Sequence, residues 1–150
     1  MIKRMREREE GFTLVELLVV ILIIGILLAI ALPTFLNQQD KANDTAAKQN
    51  LNTAYKVAKS ESVDHQGNFT TGTGTNDYTV ADLVSAISAS EPELHVTSGA
   101  NASGVANGTV VVLTSTSGDT LNLEANSQSG ATCQFNVTAG VPDAQGPSCQ

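Results

Sequence analysis

The strongest constraint on this chain is a run of twenty consecutive residues, 17–36, without a charged side chain. As a helix they reach about 30 Å at 1.5 Å per residue, enough to cross the hydrocarbon core of a bilayer. One acid, Glu16, stands at the head of the run, in Gly11-Phe12-Thr13-Leu14-Val15-Glu16. An ionisable group in a membrane segment costs roughly 2.5–3.5 kcal/mol on insertion scales, so it is read first as functional. Glu16 also has a local reading. Thr13 and Glu16 have the spacing of a capping box, and Phe12 and Leu17 are placed for a hydrophobic staple. Helix N-termini favour negative charge in any case.

That hexapeptide continues through residues 17–24, Gly25 and Pro33, and more loosely into Phe35-Leu36-Asn37-Gln38. The stretch resembles the cleavage and methylation motif of type IV prepilins and of the type II secretion pseudopilins. The resemblance implies cleavage between Gly11 and Phe12 and N-methylation of the new Phe12 amine. It also implies that Glu16 attracts the Phe12 ammonium of a neighbouring subunit during assembly. Capping and assembly use the same physics, an anion beside positive charge, and do not exclude each other. Gly25 and Pro33 weaken a helix, by about 1 kcal/mol relative to alanine and by a lost hydrogen bond respectively. In pilins the corresponding segment is thought to loosen on packing into the fibre; the bland reading is a kink, or close helix packing at Gly25.

The implied partners are other pilin subunits in a homopolymer, a prepilin peptidase and methyltransferase, an assembly platform with its ATPase, and the membrane before assembly. No cofactor is expected.

Charge sets the orientation. Lys3, Arg4, Arg6 and Arg8 precede the apolar run, and only Lys41 follows it closely. Counting bases rather than net charge, the leader lies in the cytoplasm and the remainder outside, first as a single-pass membrane protein and then as a surface filament. The rival from another class is a secreted adhesin or binding module. Its ordinary signal peptide would be cut near Ala31 in Ala29-Ile30-Ala31. Two features oppose it: the apolar stretch exceeds a typical signal-peptide core, and cleavage there would leave Pro33 second in the mature chain.

All Lys and Arg lie at or before Lys59, whereas Glu61, Asp64, Asp77, Asp82, Glu91, Glu93, Asp119, Glu124 and Asp143 follow. Phosphate backbones are bound by Lys and Arg, so direct nucleic-acid binding by this acidic part is not expected. The acidity reads as solubility.

Beyond Pro33 the composition turns polar but remains helical. Ala47, Leu51, Ala54, Val57 and Ala58 form one apolar stripe, and Asp44 and Lys48 are an i, i+4 pair. A single helix from Phe12 to about residue 65 is predicted. Residues 67–76 read as a loop. Thr79 and Asp82 signal a cap before a short helix over residues 80–90, ending before Pro92. Strand patterns follow in Leu94-His95-Val96 and over residues 109–114, 120–124 and 133–137, with a hairpin turn at Ser117-Gly118-Asp119.

The fold class is therefore α+β: a long N-terminal helix, membrane half plus amphipathic half, packed on a small antiparallel sheet of three or four strands. It is also the pilin fold the resemblance implies. The expected divisions are a cleaved leader (1–11), a membrane and polymerisation helix (12–36), the amphipathic half of that helix (37–66) and a head (67–150).

No catalytic constellation stands out. His65 and His95 sit at no ligand spacing, and the chain has no Gly-x-Ser-x-Gly, phosphate-cradling loop or Cys-x-x-Cys. The protein reads as a substrate of processing enzymes, not as an enzyme. Cys133 and Cys149 are expected to form a disulfide outside the cytoplasm, with free thiols as the other reading. No metal site is expected. The major pseudopilins of type II secretion hold calcium in the head, and Asp119 and Asp143 offer oxygens, but a hard cation needs six or more. Phe12, Phe35 and Tyr55 are read as packing residues.

Overall fold

A computed structural model describes residues 11–70, 78–113, 119–138 and 146–150. The leader before Gly11, most of the predicted 67–76 loop, Ser117-Gly118 and Asp143 lie outside the described residues. The chain divides into two compact units, Met1–Gln38 and Gln39–Gln150. Helix α1 is assigned over Leu14–Asp64 and α2 over Val80–Ser90. The strands are β1 (Val96–Gly99), β2 (Val110–Leu113), β3 (Thr120–Asn126), β4 (Thr132–Thr138) and β5 (Ser148–Cys149).

In the second unit, α1 buries Ala47, Leu51, Ala54, Ala58 and Ser62 at helical spacing. Most of these side chains are small, so the helix backbone can lie close to the sheet. Val57, which the spacing assigns to the stripe, packs only partly against the core, and Ser62 takes the last buried turn. The helix stops in a Schellman arrangement. Gln66 adopts φ 58°, and the Gly67 amide donates to the Ser62 carbonyl at 2.7 Å.

Helix α2 begins at the predicted Thr79 cap, where Thr79 and Asp82 form a reciprocal capping box. It buries Leu83 and Ile87.

The sheet has five strands in sequential order, and α1 residues 47–58 and α2 share one core with its inner face. β3 and β4 alternate strictly, placing Leu121, Leu123 and Ala125 opposite Val137, Phe135 and Cys133 on that face. β2 is buried on both faces. Val110 and Val112 join the core, while Val111 shares the outer face with its register partner Glu124.

Two features depart from an antiparallel sheet of three or four strands. β1 runs parallel to β2, because residues 100–109 cross over the sheet instead of turning back as a hairpin. That crossover is tied to the outer face. The Ala102 amide donates to Glu124 Oε2 at 2.9 Å, and Asn126 Nδ2 donates to the Ala102 and Val105 carbonyls at 2.6 and 3.1 Å. β1 also starts at Val96, so Leu94 is a buried core residue outside the strand.

The fifth strand, β5, is two residues long. It is set beside β4 by the Cys133–Cys149 disulfide, whose cysteines are register partners, and the exchange of backbone hydrogen bonds between Thr132 and Gln150 extends the ladder. A two-residue strand has no periodicity to read.

Candidate functional site

The conspicuous site is the start of α1. Thr13 Oγ1 accepts from the Glu16 amide at 3.2 Å, and Glu16 Oε2 accepts from the Thr13 amide and the Thr13 hydroxyl, each at 2.8 Å. This is a complete capping box. It turns the carboxylate back toward the chain entering the helix, against the amide of the residue that follows Phe12. Phe12 is 91 % exposed, so the staple with Leu17 is not formed: a ring folded onto the helix would lose that exposure. Among the described residues, an added methyl group at Gly11 would meet nothing within 4 Å, and none of them covers the Gly11–Phe12 bond or the Glu16 carboxylate.

From Leu14 to Leu36 every large apolar side chain is exposed. The helix is long and apolar enough to cross a membrane. Around Gly25 the side chains of Leu18, Ile21, Leu22, Ile26 and Ala29 line a shallow apolar depression, and the space where a Gly25 side chain would stand is empty. α1 continues through both Gly25 and Pro33. Proline cannot donate the usual helical hydrogen bond. Just beyond it, Thr34 Oγ1 donates to the Ile30 and Ala31 carbonyls at 3.1 Å.

The remaining candidates fall elsewhere. Tyr55 packs edge to face on Phe135 with ring centroids 4.9 Å apart, while Phe35 is exposed beside the apolar run. His65 stacks on Tyr78 at 4.0 Å; burial, with Glu61 and Asp82 nearby, pushes the Tyr78 phenol up to about 12. Among the described residues no group of three or more His, Cys, Asp or Glu side chains is gathered as a metal site would need. The structure brings Thr13 and Glu16 together with Phe12 next to them, and pairs the two cysteines far along the chain.

Several polar contacts escaped the sequence reading. Asp44, expected to act only with Lys48, accepts from the Ser129 hydroxyl. Hydrogen bonds from Ser129 and Ser127, with a smaller effect from Lys48, hold its carboxyl below the ordinary 3.8. Asn50 reaches the Gly108 carbonyl. The available signal was a short polar side chain close to the buried stripe, Asn50 next to Leu51 and Asp44 one turn before Ala47.

Comparison with known proteins points to the same end of the chain. The family model described as the prokaryotic N-terminal methylation motif matches residues 6–32, which include Gly11 to Glu16 and Gly25. The chain is 46 % identical over 59 residues to the type IV major pilin protein PilA of Myxococcus xanthus, covering 39 % of this chain and 27 % of that one. It is 48 % identical over 54 residues to the type IV narrow pilus major component PilA5 of Thermus thermophilus, covering 34 % and 47 %. It is 41 % identical over 46 residues to the type II secretion system core protein G of Pseudomonas aeruginosa, covering 31 % and 32 %. The chain thus spans less than half the length of these curated relatives. No solved structure matches it.

Proposed function

From an N-terminal segment that carries the type IV prepilin methylation motif, we propose that this protein is a structural subunit of a type IV pilus-like surface filament. A prepilin peptidase removes the leader, residues 1–11, by cutting between Gly11 and Phe12, and the new Phe12 amine is N-methylated. The single-pass precursor holds its leader in the cytoplasm and residues 37–150 outside. An assembly platform and its ATPase then draw subunits into a homopolymer through residues 12–36.

The observation that carries the reading is the Thr13–Glu16 capping box at the head of an exposed apolar helix. It holds an anion where processing creates an ammonium. In lipid, two such charges from neighbouring subunits gain far more from each other than exposed charges do in water. Once subunits pack, van der Waals contact between helices stabilises the bundle. In that bundle Gly25 and Pro33 are the positions where the helix loosens.

N-terminal sequencing with mass analysis of the mature chain tests this. A methylated Phe12 end is expected. A mature chain beginning at Leu32, or an uncut precursor in cells that hold the peptidase, overturns it.

A second reading rests on the similarity to the type II secretion system core protein G: a pseudopilin of a type II secretion or competence system. Filaments at the cell surface favour the pilus; secretion lost on deletion, with no surface filament, favours the pseudopilin.

A further inference from the structure

We infer that the outer half of α1 carries a basic stripe that docks on the acidic turn after α2 of a second copy of this chain, an inference that rests on the filament reading above. Beyond the leader, the positive side chains are Lys41, Lys48, Lys56 and Lys59. At 3.6 residues per turn they fall within an arc of about 80° and extend over about 27 Å of helix, on the flank of the buried stripe. Lys41, Lys56 and Lys59 are exposed, and Lys48 is half-buried near Asp44.

The opposite charge sits at Glu91 and Glu93. The Glu91 amide closes α2 on the Ile87 carbonyl, and the Leu94 amide returns to the Glu91 carbonyl at 3.0 Å. Pro92 stiffens this turn, and buried Leu94 anchors it, so both exposed carboxylates are held outward on a fixed support. They stand at the C-terminal end of α2, where the helix dipole disfavours anions and no base is present in the last turn. Helix stability therefore does not account for them, whereas Asp82 is engaged in its cap and Glu124 with Ala102 and Gln134.

A positive patch and a negative patch on different elements of one chain are complementary between copies but not with themselves. Two copies could satisfy such a contact reciprocally about a two-fold axis, but in a filament each copy passes it on to the next, and that heterologous form generates an open helical polymer. An external polyanion is the other conceivable occupant of the lysine stripe, but an acidic chain repels one.

The test uses the full chain expressed in its host. Filament yield is compared for wild type, Lys56→Glu with Lys59→Glu, Glu91→Lys with Glu93→Lys, and the fourfold exchange. Each charge reversal alone should lower the yield about ten-fold, and the fourfold exchange should restore it to within about two-fold. All variants should show wild-type membrane insertion and N-terminal processing. Wild-type yield from either reversal, or no recovery in the fourfold exchange while wild type polymerises, overturns the docking. Loss of heparin capture in the lysine variant with undiminished yield also overturns it, in favour of an external polyanion. Absence of filaments from wild type removes the filament reading itself, and the docking with it.

Discussion

Asn50, on the helix, donates through Nδ2 to the carbonyl of Gly108 at 2.8 Å, across 58 positions of the sequence. Gly108 holds φ 83° and its own amide donates to the Asn126 carbonyl. One side chain thus ties α1 to the crossover that makes β1 and β2 parallel. Asn50→Ala should cost about 1–2 kcal/mol, since it leaves a part-buried carbonyl unpaired. Denaturant unfolding of the full chain in detergent measures it, and an unchanged midpoint would show that solvent replaces the bond without loss.

Glu16→Gln separates the cap from the charge. A glutamine side-chain oxygen still accepts from Thr13, so the helix start survives, but the attraction for an ammonium is gone. The variant is expected to be inserted and cleaved yet poorly assembled, as is Glu16→Val. Normal filament yield from Glu16→Gln would reduce Glu16 to a cap.

Removing the disulfide should release β5. Its strand has two residues, and the Cys133 bridge fixes its position. A loop of that size contributes about 3 kcal/mol on the chain-entropy estimate. Cys133→Ser with Cys149→Ser should lose roughly that amount in denaturant unfolding and speed hydrogen exchange at Gln150 and Thr132. Equal stability with and without the bridge would contradict this.

Acid should loosen the second unit in a defined window. Hydrogen bonds from Ser129 and Ser127 hold Asp44 below 3.8, and those from Thr79 do the same for Asp82. A carboxylate lowered in the folded state stabilises the fold above its unfolded value. That contribution is lost as pH falls through the lowered folded value. Melting temperature should therefore decline as pH drops below 3.8, and Asp44→Asn should make that decline shallower. An identical acid profile for the variant would refute the assignment.

What the sequence made legible follows from range. The cap of α2, its span and the α1 stripe depend on neighbours within a turn or two, and their periodicity is explicit in Thr79, Asp82, Leu83, Ile87 and Leu51. The Glu16 capping box is equally local. The parallel pairing of β1 was hidden because it is set by Asn126 and Glu124, whose side chains bind a crossover some twenty residues earlier. Nothing in Val96-Thr97-Ser98-Gly99 distinguishes a parallel strand from an antiparallel one. β5 was hidden because two residues carry no alternation, and Phe12 because a staple pattern does not reveal whether the ring folds back.

The alanines of α1 bear on the order in which the protein is made. Domains form as synthesis proceeds from the N-terminus, so this helix exists before any strand that it will face. Its contacts reach residues 108, 129 and 135, and those close only when nearly the whole chain is available. Until then the waiting face presents Ala47, Ala54 and Ala58, with Leu51 as its one large aliphatic side chain. A leucine-rich stripe would adhere to membrane or to other nascent chains in that interval. An alanine-rich one stays solvated, and then admits the sheet at close range when it arrives.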